Sequence, residues 1–272
     1  MIAGFRMHQQ RLKIAMGRFA EARDVIDAIL NSTIGKDPNN ARQMRIAGVD
    51  KARVLILLDE ADQAKPYIDR AVAGFAGTPD ETSARGVKLA LRQAELQAAV
   101  GDSIGASLHL DRALDMTLAL GDSGRDVLPE VLFAYTQRLP GDASARAALK
   151  RVEPVEPIKT LRAGGTLSVD ESIQLHTGLG RLEQASGNLE AARKDLDEAL
   201  RLRSEHDEPG SPWLEQLQGM KAEFEMQAGD AGKARAALTH AEQSQARATT
   251  KLPYFAKPIA DLRVRLAAAA PN

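Results

Sequence analysis

The 272-residue sequence contains no cysteine. That excludes disulfides, thiolate metal sites and cysteine nucleophiles, and it fits a reducing cytoplasm. Aromatic residues are scarce too, at 4% against 44% hydrophobic residues overall. The apolar character therefore comes from Ala, Leu, Val and Ile. Small and aliphatic side chains suit closely spaced helices, and alanine has the lowest intrinsic cost in a helix. Strand signals are nearly missing: there are no alternating β-branched runs and no Asn-Gly turns. No run approaches the roughly 20 apolar residues needed to cross a bilayer. Arg6, Arg11 and Lys13 interrupt the N-terminus too often for a signal-peptide core. With 36 basic and 37 acidic residues the net charge is −1, so no global field draws the chain to nucleic acid or an anionic membrane. The expectation is a cytoplasmic, all-helical chain with neither a nucleic-acid nor a membrane partner. Helical periodicity that begins at Ile2 with no capping residue ahead of it is the pattern expected of part of a longer protein.

What the sequence does contain is a repeat. Gly17, Asp59 and Gly101 are spaced 42 residues apart, and so are Gly187 and Gly229. Five residues after each comes an alanine: Ala22, Ala64, Ala106, Ala192, Ala234. Nine after comes Ile26, Ile68, Leu110, Leu196 or Leu238, and twelve after comes Ile29, Ala71, Ala113, Ala199 or Ala241. Seven before, four have a small residue (Ala52, Ala94, Gly180, Ala222), and Gln10 is the exception. A degenerate sixth register, anchored on Pro140, supplies Ala145, Leu149 and Val152. Offsets of five, nine and twelve differ by four and three, so they share one face of a helix. The spacing thus predicts a helix, a tight turn and a second helix in each unit, nested through small residues. One such hairpin cannot bury its own apolar face, so neighbours must stack.

Punctuation places the elements. Asp37-Pro38, Thr78-Pro79 and Ser211-Pro212 put a capping residue before a proline at a helix start. Thr78 with Glu81 and Ser168 with Glu171 fit the capping box. Helices are expected at 2–16, 19–32, 38–58, 61–75, 79–100, 103–120, 126–139, 142–152, 168–186, 188–203, 211–228 and 231–247. A partnerless last helix is expected at 254–269. The segment 153–167, with Pro154, Pro157 and Gly164-Gly165, is expected to be irregular. It reads as an inter-repeat loop, or as a joint between sub-arrays 1–152 and 168–272 of a single solenoid 1–272.

The stretch 179–203 resembles a tetratricopeptide repeat, carrying Leu179-Gly180, Gly187, Ala192, Leu196 and Ala199 in that family's order and spacing. Segments 94–114 and 222–241 match almost as well. The period departs from the family's usual 34 residues and resembles the longer units appended to bacterial signalling kinases and transcription activators. The resemblance implies an all-α, α-α superhelix whose first helices line a concave groove for a peptide or helix. Groove positions six residues before each turn are Arg11, Arg53, Glu95, Arg181 and Glu223; Gln184 lies three before its turn. The apolar members of the same surface are Met7, Val49, Leu91, Ile14 and Ile56. The family's carboxylate clamp is not reproduced, since its places hold Met7 and Arg11.

Catalytic chemistry is weakly signalled. Gly101-Asp102-Ser103-Ile104-Gly105 satisfies the nucleophile-elbow pattern, but that motif needs a strand before the serine, and a helical stretch precedes it here. No pair among His8, His109, His176, His206 and His240 has zinc-helix spacing. Glu205-His206-Asp207-Glu208 reads as a solvated loop. The basic stretch Arg42, Arg45, Lys51 and Arg53 lacks interleaved aromatics. The expectation is a non-catalytic protein-interaction scaffold without cofactor or metal, or else a ligand-sensing module of a larger signalling protein.

Overall fold

The structure is a computed structural model that describes residues 2–136, 142–164, 167–248 and 250–268; side chains 2–7, 34, 142–145 and 157 fall outside it, as do the Pro140 anchor and Gly165. The chain is an all-α helical repeat, with no strand among the described residues. It divides into two compact units, Met1–Val131 and Leu132–Asn272.

In the first unit, α1 (Ile2–Ala15) pairs with α2 (Phe19–Leu30), and a short α3 (Thr33–Lys36) follows. Next come the hairpins α4 (Ala41–Leu57) with α5 (Ala61–Phe75), and α6 (Ala84–Ala99) with α7 (Ser103–Ala119). Each first helix rests on the hairpin before it, α2 and α4 in contact and α6 touching both α4 and α5. Helix α8 (Leu128–Thr136) spans the division. In the second unit α9 (Asp142–Val152) and α10 (Glu156–Arg162) lie against α11 (Val169–Ser186). Helix α11 pairs with α12 (Leu189–His206), and α13 (Pro212–Gln227) with α14 (Ala231–Arg247). The last helix, α15 (Pro253–Ala268), packs on α13 and α14 as another first helix would.

The lattice read from the sequence is the packing lattice. All five alanines five residues past a turn are wholly buried, and the residues nine and twelve past are at most 7% exposed. Gly180 shows why the position seven before a turn is small: a Cβ there would stand 2.9 Å from Leu196 Cγ and 3.2 Å from the Ala192 carbonyl. Gln10, the exception, is buried and donates to Asp50 at 2.7 Å. All five turn anchors have positive φ, and Asp59 (65°) is the non-glycine among them. The left-handed conformation closes each first helix and explains why glycine recurs there.

Three local expectations are corrected. Thr78 does not start a helix: its hydroxyl donates to the Phe75 carbonyl, and α6 begins at Ala84 with Ser83 accepting from the Arg85 amide. Asp80, buried and gripped by Arg42 and Arg85, holds the intervening residues as turns. Ser211 stands at the N-cap of α13 with a proline in the first turn, as expected, but the capping hydrogen bond is not made: its hydroxyl donates to Asp207 at 2.6 Å and accepts from no backbone N–H of the helix. The segment 153–167 is not all irregular. It contains α10, whose proline lies in the first turn, where no backbone N–H is required. Arg162 at its end reaches Asp195 at 3.0 Å. Asp37 caps a short 3₁₀ turn, Pro38–Asn40, ahead of α4, while the Ser168–Glu171 capping box forms as expected.

Candidate functional site

First helices carry the residues singled out for a binding face, and the structure gathers all of them but Arg11 into one group per unit. In the first unit Arg53 from α4 meets Glu130 at 2.9 Å. Arg92, fully buried on α6, bridges Glu130 and Glu95, the latter at 2.9 Å. Burial alone would raise the Glu130 carboxyl, but Arg53 and Arg92 overcome it and hold it at about 2. Burial keeps Glu95 above the usual carboxylate range against the pull of the same two arginines. Two arginines and two carboxyl groups thus form one cluster. Arg11 stands apart, exposed on α1.

In the second unit the arrangement is a ladder with the repeat's own period. Arg181 of α11 donates to Glu223 of α13 at 3.0 Å, and Arg265 of α15 donates to the other oxygen of Glu223 at 3.2 Å. Each partner lies 42 residues from the next. Alongside, Gln184 accepts from Arg181 at 3.0 Å and donates to Gln227 at 2.6 Å. Alternating sign at one lattice position lets successive first helices brace each other.

This ladder borders a cavity of about 590 Å³ between α13 and α15. Its apolar wall is Met220, Phe255, Ile259 and Leu262, and its polar rim includes Lys257 and Asp261. Trp213 meets Phe255 edge-on, with centroids 5.3 Å apart, which fixes the wall. Gly219 faces the same wall, where a Cβ would lie 2.6 Å from Ile259 Cδ1.

The apolar members expected on the groove are used otherwise. Ile14, Val49, Ile56 and Leu91 are at most 7% exposed and serve packing between helices; the Met7 side chain lies outside the described residues. Three of the four residues of the basic stretch are taken: Arg42 pairs with Asp80, Lys51 with Asp27, and Arg53 with Glu130. Sequence reasoning passed over Arg92, Glu130, Gln227 and Arg265. Arg265 was findable, since it continues the 42-residue register beyond Glu223. Arg92 was not, because a buried arginine has no pattern of its own.

Ser103 is the first residue of α7 and follows α6 rather than a strand. His176 bonds Asp195 at 2.9 Å, inside the group that anchors Arg162. No set of three His, Asp or Glu side chains among the described residues is placed to hold a metal ion. No described helix is long and apolar enough to cross a membrane. No protein-family model matches the chain, and no curated protein matches it.

Proposed function

We propose that this chain is a non-catalytic scaffold that binds a peptide or helix on the first-helix face of its second unit. The observation that carries this reading is the cavity of about 590 Å³ bordered by the Arg181–Glu223–Arg265 ladder. An apolar wall beside convergent charged groups is the usual make-up of a binding site. Both oxygens of Glu223 are occupied, and Arg265 remains half exposed with guanidinium donors to spare. The occupant is a segment with a large apolar side chain next to an acidic one: the first fills the wall, the second meets Arg265 and Lys257.

The long-period tetratricopeptide assignment, with its bacterial signalling context and cytoplasmic location, belongs to the same proposal. It is supported by the turn anchors and the nested alanines. A second reading, a ligand-sensing module, is favoured by the cavity volume, which falls within the roughly 300–1,000 Å³ of small-molecule sites.

The test is selection of a displayed random-peptide library on the full chain, with Lys257→Glu beside it. The expected result is enrichment of peptides pairing an apolar with an acidic residue, bound at least about tenfold more weakly by the variant, a change of about 1.4 kcal/mol. No enrichment over bare support would end the peptide reading. A thermal-shift screen of small metabolites then decides the second.

A further inference from the structure

The hairpins α4–α5 and α13–α14 meet the second helix before them on one plan. Helices α4 and α13 each carry a lysine eight residues before the turn, and it pairs with the aspartate ten past the preceding turn: Lys51 with Asp27 at 2.6 Å, Lys221 with Asp197 at 2.5 Å. One position is exchanged. Eight past its turn α5 has Tyr67, whose ring lies over α4: a Cβ on Gly48 would stand 3.5 Å from its Cδ1, and Arg70 Cζ lies 4.8 Å from its ring centre. Other hairpins put Val25, His109 or Asp195 at that position, and α14 has Ala237, preceded by Ala236. There a cavity of about 590 Å³ opens between α12 and α14. Leu200 and the two alanines give it apolar surface. Gln218, in the register of Gly48, lines it and is tied to Ser244 at 3.1 Å. His240, in the register of Arg70, lines it too.

The charges at the floor of this cavity are met within the fold. Lys221, 8% exposed, also reaches Glu225 at 2.9 Å, and Arg193 holds both oxygens of that carboxylate through Nε and Nη2, at 3.2 and 2.7 Å. A guanidinium carries five N–H donors, so Arg193 Nη1 is left unbonded among the described residues. Lys233 meets Asp230 at 3.0 Å yet stays 60% exposed, with two of its three donors to spare. Donors for an anion therefore stand on both α12 and α14. The exposed carboxylate of the lining, Asp197, is already met by Lys221.

We propose that a small aromatic acid binds here, its planar ring beside His240 in the place that Tyr67 fills in the first unit, its carboxylate on Arg193 and Lys233. The volume lies within the roughly 300–1,000 Å³ of small-molecule sites. Gln218, Lys221 and Glu225 lie on the opposite side of α13 from Gly219 and Glu223, so this site stands apart from the other cavity and from the peptide reading of it.

Calorimetric titration of the full chain with 4-hydroxyphenylacetate, a tyrosine-like ring bearing a carboxylate, tests this. The expected result is one site with a dissociation constant on the order of 100 µM. Cyclohexylacetate, with the charge but no flat ring, and 4-hydroxyphenethylamine, with the ring but the opposite charge, should each bind at least about tenfold more weakly. Ala237→Tyr, which gives the cavity the first unit's own residue, should abolish binding without lowering the melting temperature. Lys233→Glu should weaken binding at least about tenfold. Its side chain is exposed, and glutamate three residues after the Asp230 cap suits a helix start, so this variant decides the matter whether or not the tyrosine is accommodated. No binding up to about 5 mM, either analogue bound as tightly as the aromatic acid, or binding kept by Lys233→Glu or by a folded Ala237→Tyr overturns the inference.

Discussion

At the scale of single residues, the turn anchors give the most direct handle. Asp59 holds the left-handed conformation that its four counterparts meet with glycine. That conformation costs an L-residue roughly 1–2 kcal/mol, part of which glycine returns as extra freedom in the unfolded chain. Asp59→Gly should therefore stabilise the protein by about 0.5–1 kcal/mol, and Gly187→Ala should destabilise it by about 1 kcal/mol. Urea midpoints of the two variants check both signs. Glu215 offers a second handle. It is 4% exposed, and burial pushes its carboxyl up to about 7, against one hydrogen bond from Gln245. A carboxyl raised in the fold is held protonated there, so its contribution is full below the ordinary value of 4.5 and declines as pH rises toward 7. Asp80 and Glu130 act in the opposite sense. Arg42 first, then Arg85, hold Asp80 at about 2, where Glu130 also lies; the stability they contribute is lost as pH falls from their ordinary values toward 2. The melting temperature should therefore peak near pH 5, at about the ordinary carboxylate range. Glu215→Gln should raise it at pH 8 and leave it nearly unchanged at pH 5.

At the scale of elements, α10 shows what the sequence conceals. Composition marks 153–167 as a break, and Pro154 does fall in the turn ahead of α10. One short helix survives because its proline sits in the first turn and because a distant group holds its end. Arg162 reaches Asp195, which is 1% exposed and also bonded to His176. Removing one partner of a buried carboxylate costs more than the contact itself. Arg162→Ala should therefore raise amide exchange in 156–162 by tenfold or more, equivalent to about 1.4 kcal/mol of local stability, while α13 and α14 keep their protection. The hairpins themselves were legible, because nested alanines and left-handed turns recur at a fixed interval and each is a local constraint. Helix starts were less so. Thr78 looks like a cap, yet it lies in a turn ahead of α6, which starts only at Ala84; Ser211 does mark the start of α13, without the capping hydrogen bond. The candidate site was legible only as positions. That Arg181, Glu223 and Arg265 would brace one another depends on the alternation of sign from unit to unit. The register supplies the address and not the partner.

At the scale of the molecule, the same lattice that seats the alanines also sorts the surface. Positions five, nine and twelve past a turn go inward in both units, while charged first-helix residues pair with one another within each unit. In a repeat array the stability is close to a sum of unit and neighbour terms, so a fault at one nested alanine weakens its own joint most. The most direct test compares urea denaturation of Ala192→Leu and Ala234→Leu with Glu190→Leu, which lies two residues before the first of these and is exposed. Overpacking a filled site costs roughly 1–3 kcal/mol, whereas a surface change is usually within about 0.5 kcal/mol. The prediction is clearly lowered midpoints for the two alanine variants and a wild-type midpoint for Glu190→Leu. Equal midpoints for all three would contradict the claim that this register decides which side chains pack and which face outward.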